Sequence, residues 1–126
     1  YIYIYIYIYI YIMIFKKNLS EPWFTLIKLG LKKCEGRLNK GDFSKMKKGD
    51  IILFENNDFS FSRSFKVRIT SLHKYESFKD YLNKETLEKT LPGIDNIKNG
   101  LKIYYKYYSK DDEIKYKIIA IRIKVI

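Results

Sequence analysis

The segment Tyr116–Ile126 carries the pattern that most limits how this chain can fold. Apolar side chains alternate there with small or charged ones: Ile119, Ile121, Ile123 and Val125 against Ala120, Arg122 and Lys124. A period of two is typical of a β-strand that buries one face in a hydrophobic core. Because an isolated strand is unstable in water, the rest of the chain has to supply pairing strands and a layer that covers the apolar face.

Four other segments have strand character. Phe65–Thr70 alternates apolar with basic residues, which predicts a half-buried strand with a basic outer face. Asp50–Glu55 contains a continuous apolar run, as expected for a buried strand. Met13–Lys17 and Cys34–Leu38 are predicted to be short extended segments.

Helical patterns separate these strands. The first helix is predicted to have Ser20 as its N-cap and Gly30 as its C-cap, because apolar residues between them recur at helical intervals. Three more helices are predicted before the last strand: one capped by Ser77, one over Lys84–Thr90 and one beginning at Asp95 or Asn96. The order β-α-β-β-β-α-α-α-β predicts an α+β fold, with a small, mostly antiparallel sheet curled toward a barrel and helices packed at its ends.

Residues 1–12 are a strict Tyr-Ile repeat of low complexity, unlike everything that follows. Translation of a TA dinucleotide repeat gives this sequence, and Met13 comes directly after it. We therefore expect translation to begin at Met13 and a single domain to comprise residues 13–126. The alternative is a genuine membrane-associated or self-associating strand, since both faces of such a strand are apolar. The repeat lacks the basic region and the small-residue cleavage site of a signal peptide.

The chain is strongly basic, with 25 Lys and Arg residues against 14 Asp and Glu residues and a formal net charge of +11. This excess favours a polyanionic partner, which means RNA, DNA, a nucleotide or an anionic surface. The alternative is drift toward AT-rich codons, which also encode the abundant Ile, Asn and Tyr. The charge therefore points to a class of partner without identifying it.

Several other classes are disfavoured by composition. No segment reaches the roughly 18 consecutive apolar residues of a transmembrane helix, so no membrane partner is predicted. A single cysteine, Cys34, cannot form an internal disulfide, which fits a reducing intracellular compartment, either cytoplasmic or nuclear. One cysteine and one histidine cannot build a zinc site alone, so we predict no metal and no cofactor.

The segment Gly30–Arg37 is the candidate site. If the helix ends near Lys32 and the next residues are extended, the side chains of Glu35 and Arg37 lie on one strand face. The cations can then bind a phosphate or carbonyl oxygen, and the carboxylate can accept from a base amine or transfer a proton. The alternative is an internal ion pair of Glu35 with Lys32 or Arg37 that only fixes the junction. Further nucleic-acid contacts are predicted for the basic residues Lys45, Lys47, Lys48 and Arg68.

The same segment, Gly30-x-Lys32-x-x-Glu35-x-Arg37, matches in full the G-x-K-x-x-E-x-R pattern of the ASCH domains, a branch of the PUA-like superfamily. Other segments resemble one branch of this family in the same order: Glu21-Pro22-Trp23-Phe24, Lys48-Gly49-Asp50, Leu91-Pro92-Gly93-Ile94, Tyr107-Tyr108-Ser109 and Asp112-Glu113. The resemblance thus covers essentially all of residues 13–126. It implies a PUA-like β-barrel with a cleft beside the motif, and RNA binding or RNA-related chemistry.

The resemblance also leaves an enzymatic alternative. Some ASCH relatives are small amidohydrolases that act on an acetylated cytidine with a Lys, a Thr and a Glu. Their Lys corresponds to Lys32, their nucleophilic Thr to Glu35, and their Glu to the stretch that holds Glu85 or Glu88. Because Glu35 has no hydroxyl, that mechanism is disfavoured. Water-mediated hydrolysis with Glu35 as base, ribonuclease activity, or a protein-adaptor role as in coactivators that carry ASCH domains stay as alternatives to nucleic-acid binding.

Overall fold

Five strands form one curled sheet in the part of the chain that the structure describes. The computed structural model describes residues 12–126, so the Tyr-Ile repeat lies outside the described residues except for its last position. The strands are β1 (Ile14–Asn18), β2 (Cys34–Leu38), β3 (Ile51–Asn56), β4 (Arg63–Tyr75) and β5 (Ile118–Val125). Their order across the sheet is β1-β3-β4-β5-β2, and every neighbouring pair is antiparallel except β1–β3. The predicted α+β fold with a mostly antiparallel sheet is confirmed.

Helices connect and cover these strands. They are α1 (Trp23–Lys28), α2 (Phe78–Glu85), α3 (Leu87–Thr90), α4 (Ile97–Tyr107) and α5 (Lys110–Tyr116), with a 3-10 helix at Gly41–Lys45. Sequence analysis predicts three helices between β4 and β5, whereas the structure has four, and α5 is the additional one. Its start is nevertheless encoded locally, since the Ser109 side chain accepts from the backbone N–H of Asp112.

The start of α1 differs from the prediction. Ser20 is not its side-chain cap, because the helix begins at Trp23 and the Glu21 carboxylate accepts from the backbone N–H of Thr25 instead, at 2.9 Å. At the other end, Gly30 follows directly after the C-cap Leu29 with a φ of +78°, the left-handed conformation that glycine adopts most easily. That turn leads the chain from α1 into β2.

Strand β5 lies between β4 and β2 and is buried on both faces over most of its length. Ile119, Ile121 and Ile123 pack in a cluster with α1 and the strands β3 and β4. Ile118 and Ala120 face a second cluster, built around α2 and α4. The alternation of the sequence therefore predicts the strand correctly, but Ala120 lies in a second core instead of at the surface. A bulge in β4 between Ile69 and Ser71 bends the sheet beside it.

Candidate nucleic-acid interface

A cavity of about 450 Å³ opens between the start of α1, strand β2, the β3–β4 loop and helix α4. Its lining combines polar and aromatic side chains. The lining residues are Asn18, Leu19, Ser20, Trp23, Lys32, Glu35, Gly36, Arg37, Glu55, Asn56, Asn57, Asp58, Leu91, Ile103, Tyr104, Tyr107 and Tyr108. A volume of this size lies within the range of small-ligand sites in proteins, roughly 300–1,000 Å³.

Lys32 lies in the wall of this cavity and is almost completely buried, with 2% of its surface exposed. Its Nζ donates to the backbone carbonyl oxygen of Cys34 at 2.6 Å and to that of Thr90. It also lies 3.6 Å from Oε1 of Glu35. Burial lowers the pKa of Lys32 from its usual value, and the Glu35 carboxylate opposes this shift. Because its three N–H groups face two carbonyls and a carboxylate, the ammonium form is the one that these partners stabilise.

Glu35 lies between the two cations. Its Oε1 accepts from the backbone N–H of Gly36 at 3.1 Å and its Oε2 lies 3.4 Å from Nη2 of Arg37. Burial alone would raise the pKa of Glu35, but the charges of Lys32 and Arg37 outweigh burial and lower it. The carboxylate is therefore ionised at neutral pH, which makes it a good hydrogen-bond acceptor and a weak base.

Arg37 is the most accessible of the three charged groups. Its side chain is 20% exposed, against 7% for Glu35 and 1% for Lys32. Besides Glu35, its Nη2 donates to the backbone carbonyl of Asn18 at 3.3 Å, and its guanidinium lies 5.0 Å from the ring centroid of Phe43. These contacts leave part of the guanidinium facing the cavity, where it can donate to a ligand.

Aromatic rings form another part of the wall. Trp23 comes from α1, while Tyr104, Tyr107 and Tyr108 come from the end of α4. Tyr104 is 5% exposed and its hydroxyl lies 3.0 Å from that of Tyr81, whereas Tyr107 is 63% exposed. The cavity thus joins a charged floor to a rim with one freely accessible ring.

The amino-acid sequence of nearly all the described residues identifies the family. Residues 18–126 match the model of the ASCH domain. The chain belongs to the ASCH domain family. This confirms the resemblance carried by the Gly30–Arg37 motif.

Two solved structures are similar to this chain in sequence and in fold. The crystal structure of the hypothetical protein PH0355 is 39% identical, with a TM-score of 0.82, and the match covers 90% of this chain and 100% of that one. The solution NMR structure of protein PF0455 from Pyrococcus furiosus is 38% identical, with a TM-score of 0.74, over 90% of this chain and 98% of that one. No curated protein matches the chain significantly.

The ASCH motif residues come together, whereas the other candidates do not join them. Lys32, Glu35 and Arg37 all line the cavity and contact one another in a single cluster. Lys45, Lys47, Lys48 and Arg68 are exposed and lie outside the lining. Lys45 ends the 3-10 helix whose Phe43 packs under Arg37, so it is the nearest of the four along the chain to the cluster.

The polar side of the cavity, which β3 and its following loop provide, is not predicted from the sequence. Asn56 is 2% exposed; its Nδ2 donates to the carbonyl of Leu19 at 3.0 Å, and its Oδ1 accepts from Arg63 at 2.7 Å. Glu55 and Asp58 add two carboxylates to the lining. In the sequence, Asn56–Asp58 has only the signature of a turn, and no periodicity relates it to the distant ASCH motif.

Neither glutamate that the amidohydrolase resemblance implies lies at the cavity. Glu88 is exposed, and Glu85 lies outside the lining. Glu85 accepts from Nε of Arg122 at 2.8 Å and from its Nη2 at 3.0 Å, and it also bonds the hydroxyl of Tyr75. Hydrogen bonding to Arg122 lowers the pKa of Glu85 to about 2. The Lys, Thr and Glu arrangement of those relatives is therefore not assembled around Lys32.

Two further observations concern residues 12–126. No group of three or more His, Cys, Asp or Glu side chains is placed to hold a metal ion within this range. Among the described helices, none combines the length and the apolar character that a membrane crossing requires.

Proposed function

We propose that this ASCH domain binds single-stranded RNA by accepting one unpaired base into the cavity above Lys32, Glu35 and Arg37. The observation that carries the proposal is the charged cluster at the base of an aromatic-walled cavity of about 450 Å³. Proteins that read RNA sequence commonly do so on bases that are splayed out of a strand, stacked on aromatic rings and hydrogen-bonded on their edges.

The charges around the cavity favour a base over a phosphate as its occupant. Three carboxylates, from Glu35, Glu55 and Asp58, line it together with two cations, Lys32 and Arg37. Glu55 is also paired with Lys16, at 3.4 Å, so the charges around the cavity balance and give no excess of positive charge for a phosphate. An uncharged base needs no such excess and can use the carboxylates as acceptors for its N–H groups.

Each member of the cluster has a separate role in this proposal. Lys32 positions Glu35 and keeps it ionised, because its own donors are directed at two carbonyls and at that carboxylate. Glu35 accepts from an N–H of the base, and Arg37 donates to a neighbouring acceptor on the same edge. Since each base presents its donors and acceptors in a different arrangement, Glu35 and Arg37 determine which base is preferred.

A comparison of single-stranded with duplex RNA of the same sequence tests the proposal. We expect micromolar binding to the single strand and weaker binding to the duplex, because a paired base cannot enter the cavity. Glu35→Gln is expected to change the relative affinities for oligonucleotides of different base composition, since the amide donates where the carboxylate accepts. Glu88→Gln, an exposed glutamate outside the lining, is the matched control and should change nothing. Equal binding of single strand and duplex, or no binding at roughly 50 mM salt, contradicts the proposal.

A further inference from the structure

Helix α4 carries a row of lysines on the side away from the cavity. Lys98, Lys102 and Lys106 are spaced four residues apart and all are exposed. Residues at this spacing lie above one another on one helix face, about 6 Å apart along the axis. Together with Lys79 of α2 they border a groove of about 660 Å³ whose floor includes Ile97 and Leu101. We call this groove, with its four lysines, the α4 basic groove.

Helix stability alone does not account for this row of lysines. Like charges four residues apart repel one another, and a cation in the first turn, where Lys98 lies, opposes the helix dipole; only Lys106, in the last turn, interacts favourably with it. None of the four ammonium groups forms an ion pair with a carboxylate of residues 12–126 within 4.0 Å. The nearby Glu113 is buried and accepts hydrogen bonds from Tyr105. A partner that supplies negative charge in a row would relieve the repulsion.

The groove and the cavity lie on two different sides of helix α4. Ile103, Tyr104 and Tyr107 of α4 line the cavity, and Lys98, Lys102 and Lys106 border the groove. The helix has 11 residues, so it is about 16 Å long and narrow enough for a strand of a few nucleotides to cross its exposed face. A strand that places one base in the cavity, beside the exposed ring of Tyr107, can therefore continue over α4 to the lysines.

We infer that the α4 basic groove binds the sugar-phosphate backbone of the RNA strand whose unpaired base enters the cavity. The inference rests on the proposed function for the choice of partner. One lysine per helical turn offers phosphates repeated point charges, and the apolar floor accommodates the ribose between them. In this division the cavity reads a base, and the groove supplies affinity that does not depend on sequence.

Salt dependence measures this contact directly. The logarithm of the association constant for a single strand falls with the logarithm of the salt concentration by about 0.7 per neutralised phosphate. Binding of short oligouridylate and oligocytidylate should be measured between about 50 and 200 mM salt. The triple variant Lys98→Gln, Lys102→Gln, Lys106→Gln is expected to reduce the slope by about 2. Gln has nearly the helix propensity of Lys, so α4 should persist, and circular dichroism checks this.

A matched variant controls for the loss of net charge. Lys66→Gln, Lys74→Gln, Lys124→Gln removes the same charge from exposed positions on β4 and β5. It should leave the slope nearly unchanged. Equal slopes for the two triple variants overturn the groove proposal. The proposal is also overturned if polyglutamate binds as tightly as RNA and the α4 triple variant weakens the binding of both equally. The groove would then be a site for acidic proteins.

The failure of this inference can be told apart from the failure of the proposed function. An uncharged nucleoside contacts the cavity alone, so its binding should be the same in the wild type and in the α4 triple variant. If nucleosides bind and the slope is unchanged, the cavity proposal stands and the groove proposal is wrong. If nucleosides do not bind but the slope falls, the groove binds RNA and the proposed role of the cavity is wrong.

Discussion

At the scale of single residues, the buried cluster of Lys32, Glu35 and Arg37 combines the two alternatives that the sequence leaves open. Glu35 is paired with both cations, as in an internal ion pair that fixes the junction, and all three residues also line a cavity. Burying a charge is costly unless it is paired and hydrogen-bonded. The two carbonyl oxygens that accept from Lys32 satisfy its remaining donors. The Lys32–Glu35 ion pair can therefore be buried without leaving an unpaired N–H group.

Replacing Lys32 is expected to destabilise the fold. Lys32→Met removes the ammonium and leaves the Glu35 carboxylate and the carbonyls of Cys34 and Thr90 without their donor. Breaking a buried pair in this way costs about 3–5 kcal/mol in the free energy of unfolding. Denaturant unfolding measures the loss, with the exposed neighbour Lys33→Met as the control. A loss under about 1 kcal/mol for Lys32→Met, as for an exposed pair, would show that the ion pair is not buried in solution.

The buried carboxylate of Glu85 is expected to make the fold less stable in acid. The folded-state pKa of Glu85 is about 2, below its ordinary value of about 4.3. A depressed folded-state pKa means that the stabilisation is complete above the ordinary pKa and is lost as the pH falls towards about 2. The melting temperature should therefore decline over this interval. Glu85→Gln should weaken the decline while Glu88→Gln leaves it intact, and an unchanged profile in Glu85→Gln would contradict the assignment.

At the scale of secondary structure elements, β2 and α2 are packed closely because of one glycine. A Cβ placed on Gly36 would lie 2.6 Å from Cε2 of Tyr81 and closer still to its Cζ. Tyr81 is fully buried and its hydroxyl is hydrogen-bonded to that of Tyr104, so its ring has no free space to move into. The position of β2, and with it of Glu35 and Arg37, therefore requires that residue 36 has no side chain.

Gly36→Ala is therefore expected to lower the free energy of unfolding by about 1–3 kcal/mol through overpacking. Gly100→Ala is the comparison variant, since a Cβ there would meet only the flexible ends of leucine side chains, the nearest being Cδ1 of Leu82 at 3.1 Å, which need to shift by a few tenths of an ångström. The helix propensity of alanine, about 1 kcal/mol better than that of glycine, opposes this cost. Chemical denaturation of both variants compares the two positions. Wild-type stability of Gly36→Ala would mean that Tyr81 moves without cost and would contradict this prediction.

The elements themselves differ in how far the sequence determines them. Strand β5 is predictable because its apolar period is uninterrupted, and the ASCH motif is recognisable because Lys32, Glu35 and Arg37 are close in the chain. Helix α5 is harder to see, since its buried residues include no apolar side chain, only Glu113. The contribution of Asn56 to the cavity is not predictable from a single sequence, because it arises when β3 and β2 are brought together across the fold.

At the scale of the whole molecule, positive and negative charges lie in different places. The excess of positive charge lies on exposed lysines, while the cavity lining has more carboxylates than cations. An RNA strand matches this distribution when its phosphates stay outside on the lysines and its base enters the cavity. In the proposed mode of binding, the exposed lysines contact the backbone of the RNA and the cavity contacts one base.

The entry of a base into the cavity can be measured without any phosphate. Trp23 is the only tryptophan of the chain and lies in the cavity wall, so its fluorescence reports on an occupant directly. Titration with uncharged nucleosides is expected to change this fluorescence in a saturable way at millimolar concentrations. Arg37→Met should weaken the binding, and Arg68→Met, an exposed arginine outside the lining, should not. If the protein binds single-stranded RNA while no nucleoside alters the Trp23 signal, the cavity is not the base site, and the central claim is contradicted.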